Sequence, residues 1–233
     1  MNVLSFSLLG VGFLLGVRHA FDVDHIAAVS TIVSRHSSIR KSSMLGIFWG
    51  FGHAISLLIV GLIVLLLKIT IPEKVSLSLE LIVGLMLIAL GINTVSTIKS
   101  NKIHWHKHRH GEEEHLHFHS HKLTEKHEHE HLSLHKSLLM GLIHGLAGSA
   151  ALTLLVLTAT SSFWIGLIYI LIFGAGSIIG MAAISSIISL PFALIPNKLD
   201  RTQKMLRIST GLISIIMGSA VLYKIGLTNG FLT

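Results

Sequence analysis

The 233-residue chain contains no cysteine, only three prolines, and charged side chains at just 12% of positions. The absence of thiols excludes disulfides, thiolate metal sites and cysteine-based catalysis. Scarce proline leaves long helices uninterrupted. Pro72, Pro191 and Pro196 are all expected at span ends or in loops, where a missing N–H does least harm. The charged fraction is about half that of a soluble domain. A G-x-x-x-x-G-K-[ST] phosphate loop is also absent, so any energy source is an ion gradient, the membrane potential or a partner.

What the chain has instead is apolar length. Hydrophobic residues make up 51% of it, mean hydropathy is +0.74, and the apolar blocks exceed the roughly 18 residues that let a helix cross a bilayer core. The expected fold is an all-α integral membrane protein with six transmembrane helices. The spans fall near Val3–Ala20 (continuing, broken or tilted, to Val33), Met44–Leu67, Val75–Ile98, Ser137–Leu157, Phe163–Leu190 and Leu206–Gly226. The opening run "MNVLSFSLLGVGFLLG" has no basic stretch before it and no small-x-small cleavage site, so it is expected to be retained as the first span.

Internal similarity divides the chain. "GLMLIALG" (84–91) matches "GLISIIMG" (211–218), "WGFGHAIS" (49–56) sits opposite "LIFGAGSI" (171–178), and "GVRHAFDVDH" (16–25) sits opposite "GLIHGLAGSA" (141–150). Three spans per unit is an odd number, so consecutive units enter the membrane in opposite senses, a plan common among secondary transporters. The expected organisation is therefore two inverted three-helix repeats, 1–98 and 137–233, joined by a hydrophilic loop over 99–136.

Lysine and arginine are sorted by side. Lys68, Lys74 and Lys224 share the side of the termini, against fourteen basic residues on the other side, which includes the long loop. The positive-inside bias then puts both termini outside and the loop in the cytoplasm, across the cytoplasmic membrane. It also accounts for the net charge of +7 without invoking nucleic acid.

Against this background "GVRHAFDVDHIAAVS" (16–30) stands out, with two histidines, two aspartates and an arginine in a span. Each such group costs about 2.5–3.5 kcal/mol on insertion scales, so its default reading is functional. On a continuous helix His19, Asp22 and His25 lie within about 120° on one face, with Arg18 on the same side; Asp24 points elsewhere unless the helix unwinds. Imidazole plus carboxylate without sulfur suits Ni²⁺, Co²⁺ or Zn²⁺. The competing reading is a buried salt bridge from Arg18 to Asp22 or Asp24 that fastens helices together. His53, midway along the second span among glycines, is a further candidate ligand. His144, opposite His19 in the second repeat, is a ligand, an outer hydrogen-bond donor or a gate. Asn93 could add an amide oxygen, and Glu80 reads as an interfacial carboxylate.

The loop carries twelve of the seventeen histidines, mostly at alternate positions. His104, His106, His108, His110, His115, His117, His119, His121, His127, His129 and His131, interleaved with Glu, offer many overlapping weak sites for transition metals. The segment has no core-forming residues and is expected to be disordered without metal.

These residues carry a family resemblance. "RHAFDVDHI" resembles the signature of the nickel/cobalt transporter family, and "FGHAIS" resembles that family's Gly-His motif in the following span. "GLIHGLAGSAAL" is similar to the fourth-span motif of its shorter relatives, often described as urease accessory membrane proteins or nickel permeases. Longer members have more spans and a later motif containing Asp, Thr and Glu, whereas "GLAGSAAL" is uncharged. The resemblance implies a transporter rather than an enzyme, with Ni²⁺ or Co²⁺ as cargo, no cofactor, and nickel-enzyme maturation proteins as partners. It implies a site of His19, Asp22 and His25 closed by His53, with Asp22 and Asp24 offsetting the ion's charge. Uptake is the first expectation, because a divalent ion entering gains about 4.6 kcal/mol per 100 mV. Efflux fed by the histidine loop is the alternative; a membrane metalloenzyme and a metallochaperone-like partner are readings of other classes.

Overall fold

A computed structural model describes residues 3–99, 108–110, 113–115, 130–159, 162–195 and 200–228. Seven α-helices follow in chain order: α1 (Val3–His19), α2 (Val23–Val33), α3 (Ile39–Leu67), α4 (Glu73–Lys99), α5 (Glu130–Ala159), α6 (Phe163–Leu194) and α7 (Asp200–Tyr223), the last running into a π turn at Lys224–Thr228. Among the described residues, four helical segments are long and apolar enough to cross a membrane: 39–67, 73–98, 163–194 and 201–226. Two shorter apolar helices, Leu9–His19 and Val23–Val33, occupy the first expected span. Large apolar side chains such as Ile59, Leu66, Ile82, Ile179, Leu212 and Ile216 face outward, as a lipid-facing surface requires.

The first span, expected to continue broken or tilted to Val33, is two helices, the chain breaking at residues 20–22. Pro191 does not end its helix: α6 continues through it to Leu194, and the Ile195 N–H bonds back to the Pro191 carbonyl at 3.1 Å. Proline in a last turn forfeits one hydrogen bond without the clash repeating further on. Within the histidine loop, expected to lack structure, strands β1 (His108–His110) and β2 (Glu113–His115) pair antiparallel, with Arg109 opposite Glu114. His131 falls in α5, and His104, His106, His117, His119, His121, His127 and His129 lie outside the described residues.

In a bilayer the apolar effect does not drive helices together, so close backbone approach and interhelical hydrogen bonds must do so. Glycine supplies the approach. A Cβ on Gly16 would overlap the Phe173 carbonyl of α6, and one on Gly141 would overlap the Trp49 carbonyl of α3. Between α4 and α7 the contacts are reciprocal: a Cβ on Gly91 would lie 2.5 Å from the Gly211 carbonyl oxygen, and one on Gly218 would lie 2.5 Å from that of Gly84. Serine supplies the hydrogen bonds. Ser56 Oγ donates to the Leu142 carbonyl at 2.6 Å, Ser137 Oγ to Leu45 at 2.7 Å, and Ser214 Oγ to Leu87 at 2.8 Å. An apolar core of Ala27, Ala28, Val29, Val33, Leu87 and Met181 surrounds α2 and holds it against its neighbours.

Candidate metal centre

The site is built at the break between α1 and α2. After His19 the backbone tightens: the N–H groups of Phe21 and Asp22 reach back only three residues, to the carbonyls of Arg18 and His19, at 2.9 and 3.0 Å. Asp22 is extended (φ −63°, ψ 147°) and occupies the N-cap position of α2. An aspartate there ordinarily accepts from first-turn N–H groups, yet Asp22 makes no such side-chain cap. Its carboxylate instead accepts from His19 Nδ1 at 2.8 Å. Asp24 also turns toward the histidines. Its Oδ1 accepts the His25 backbone N–H at 2.9 Å and lies 3.2 Å from His25 Nδ1, while its Oδ2 lies 2.8 Å from His144 Nε2.

Four imidazoles from four helices therefore meet. His19 ends α1, His25 opens α2, and His53 and His144 sit midway along α3 and α5. Ring centroids of His19 and His25 are 4.6 Å apart, those of His19 and His53 5.1 Å, and those of His25 and His144 4.0 Å. Each of His19, His25 and His53 offers a donor atom within 4.8 Å of the others, and Asp24, His25 and His144 form a second such group. The relative exposures of His53, His25 and His144 are 0%, 1% and 2%, whereas the side chains of His19 and Asp22 are 22% and 52% exposed. Asp24 is 34% exposed as well, so the cluster opens along the break between α1 and α2.

Buried nitrogens without partners are the chemical signature. His25 Nε2, both nitrogens of His53 and His144 Nδ1 make no hydrogen bond. Leaving such groups unpaired costs about 1–3 kcal/mol each. Carboxylates fix the other ring nitrogens of His19 and His25, an arrangement that would orient the free nitrogens toward a metal and raise their basicity. An α1 C-terminus, with its carbonyl end negative, adds a favourable field for a cation.

The geometry revises the helical-wheel reading. His19, Asp22 and His25 do not lie along one continuous face; the break brings them together, placing Asp22 behind His19 and turning Asp24 inward. Arg18 is exposed and makes no ion pair among the described residues, so the fastener reading loses its cation. Asn93 is exposed, and neither it nor Glu80 joins a ligand group. His36, between α2 and α3, joins neither group; burial first, then Lys41, Arg35 and Arg207, hold its imidazole below its usual range. What the sequence did not reveal is the Asp24–His144 contact, 120 residues apart, and the buried Trp49, whose ring lies 5.9 Å from that of His144. Neither has a local sequence signal beyond the intramembrane aspartate itself.

A bundle of apolar helices with an imidazole cluster at a broken helix suits a membrane carrier for a transition-metal cation. The family of high-affinity nickel-transport proteins, NicO, matches residues 5–227, and the chain belongs to that family of transporters, which are not enzymes. It is 40% identical over 224 residues to the urease accessory protein UreH of Bacillus sp. (strain TB-90), covering 96% of this chain and 94% of the relative. No solved structure matches it.

Proposed function

We propose that the chain carries Ni²⁺, with Co²⁺ as its chemical neighbour, inward across the cytoplasmic membrane, and that the ion binds at His19, His25 and His53. The observation that carries this reading is the convergence of three imidazoles from three helices, two of them with buried, unpartnered nitrogens. Borderline divalent ions favour nitrogen donors, and the absence of sulfur disfavours Cu(I). Asp22 and Asp24 lie behind the imidazoles and offset the double charge of the cargo. An exposed Asp22 at this depth belongs to a wet crevice rather than to lipid, so the open edge is the mouth of the site.

The halves are two inverted three-helix repeats. Equivalent positions make equivalent contacts: Gly16 on Phe173 mirrors Gly141 on Trp49, and Gly84 with Gly218 mirrors Gly211 with Gly91. Trp49 and Phe173 are 124 positions apart, so the repeats align "WGFG" (49–52) with "FGAG" (173–176), two residues beyond the match that letter similarity suggests. Both termini face outside and the histidine loop faces the cytoplasm, following the charge bias. The UreH relative is named as a urease accessory protein; by extension, the nickel delivered here feeds the maturation of a nickel enzyme.

The test is uptake of nickel into vesicles containing only this protein, wild type beside His53→Ala. Wild type should accumulate the ion, and the variant should insert normally and accumulate none. Uptake at the normal rate by His53→Ala would remove the site from this cluster, and no uptake by wild type would make the chain a partner of some other carrier.

A further inference from the structure

The two ligand groups share one residue. His25 belongs both to the group with His19 and His53 and to the group with Asp24 and His144. The ring has two nitrogens on opposite edges. His25 Nδ1 lies on the Asp24 side at 3.2 Å, and Nε2 is buried with no partner. Each group has one accessible member, His19 at 22% in the first and Asp24 at 34% in the second, while the shared His25 is 1% exposed.

We infer that the ion occupies two positions in succession, one at His19, His25 Nε2 and His53, and a second at Asp24, His25 Nδ1 and His144 Nε2. This inference rests on the metal reading above and divides that site in two. The second group is already drawn together. Asp24 Oδ2 is 2.8 Å from His144 Nε2, and the rings of His25 and His144 have centroids 4.0 Å apart. Metal–nitrogen bonds of about 2.1 Å place neighbouring donors roughly 3 Å apart, so small movements convert this hydrogen-bonded group into a ligand set. The ring protons now held against Asp24 give way to the ion, and the opposite nitrogens of the same rings accept them: Nδ1 of His144, which is unpartnered, and Nε2 of His25, which the departing ion vacates.

Topology supports the same pairing. His19 and His144 each lie three residues beyond a glycine pressed on a carbonyl of the other half, Gly16 on Phe173 and Gly141 on Trp49. An ion passing between inverted halves starts on the histidine of one and ends on the histidine of the other. His25 is the pivot, and Asp24 supplies the negative charge at the second position.

The experiment separates binding from movement, using the full-length protein with Ni²⁺ as the probe. Nickel affinity and imidazole count by X-ray absorption are measured on purified protein, and uptake is measured in vesicles, for wild type, His53→Ala, His144→Ala and His144→Gln. With nickel below one equivalent, so that the cluster fills before the weak sites of the loop, both His144 variants should show the three-imidazole signature and near wild-type affinity, while uptake falls by at least the roughly 10–100-fold typical of a lost outer partner. His53→Ala should lose the binding itself. Glutamine can still donate to Asp24, so recovery of uptake in His144→Gln would reduce His144 to a structural hydrogen-bond donor and overturn the second position. Equal loss of affinity in His144→Ala and His53→Ala would also overturn it, since a single site would then hold all the ligands. If His53→Ala leaves both affinity and uptake intact, the metal reading fails instead.

Discussion

Residues 16–25 and 141–150 make a controlled comparison within one molecule. Each begins with a glycine pressed against a carbonyl of the opposite half, and each has a histidine three residues later. Beyond the histidine they part. The first continues as Ala20, Phe21 and Asp22 and breaks before Val23; the second continues as Gly145, Leu146 and Ala147 in an unbroken α5. Scaffold and chemistry are therefore separable. Small residues set how closely the backbones approach and are present in both halves, whereas the carboxylates, and the break that turns them toward the histidines, are present in one.

The strongest way to break the comparison is to fill the glycines. A leucine at either Gly16 or Gly141 would drive a side chain into a neighbouring carbonyl. Overpacking costs about 1–3 kcal/mol and more where backbone must move, as it must here. Both variants should fail to yield a stable bundle, seen as lost thermal unfolding transitions and aggregation in detergent. A folded Gly141→Leu beside an unfolded Gly16→Leu would mean that the halves do not share a scaffold.

The carboxylates come next. Asp22 is half exposed and touches only the His19 ring, while Asp24 braces His25 and His144 together. Removing an outer-sphere partner costs about 10–100-fold in affinity or activity. Asp22→Asn should lose about 10-fold in uptake, because the amide oxygen still accepts from His19 Nδ1, and Asp24→Asn should lose about 100-fold or more. Rates measured in vesicles decide it: a loss in Asp22→Asn as deep as in His53→Ala would make Asp22 a direct ligand after all.

That ranking reverses the one a helical wheel suggests, and the reason is physical. Apolar length made the long spans legible, since it needs only a run of residue types. The motif was legible because ionisable groups in a span are costly. The break was legible only as one option for the first span, for residues 20–22 contain neither proline nor glycine, and the chain turns there through backbone bonds that fall back three residues. A wheel drawn through the break put Asp22 with the histidines and left Asp24 pointing elsewhere unless the helix unwinds, as it does here. His144 has only Gly, Leu and Ile as neighbours in sequence, and its acidic partner arrives from α2. On the proposed repeats the contacts shift the register at Trp49 by two, because letter matching rewards chance identities, whereas contacts follow the glycines.

The smallest effect is expected from the segment that belongs to neither half. Residues 104–131 have no counterpart in the proposed repeats, and by sequence their histidines would offer numerous weak sites rather than one preorganised site. Preorganisation sets selectivity, because a fixed cluster discriminates by ligand number and geometry while a pliable chain adapts to any borderline ion. Deleting 104–131 should therefore leave nickel uptake measurable and the order of preference among Ni²⁺, Co²⁺ and Zn²⁺ unchanged. Only the amount of metal bound per protein should fall, along with the response to a heavy metal load. Competition uptake in vesicles, wild type against the deletion, reads both quantities at once. A loopless protein that transports nothing would make the histidines an obligatory relay between the halves. One that transports but prefers a different ion would move selectivity out of the four-histidine cluster and into the loop.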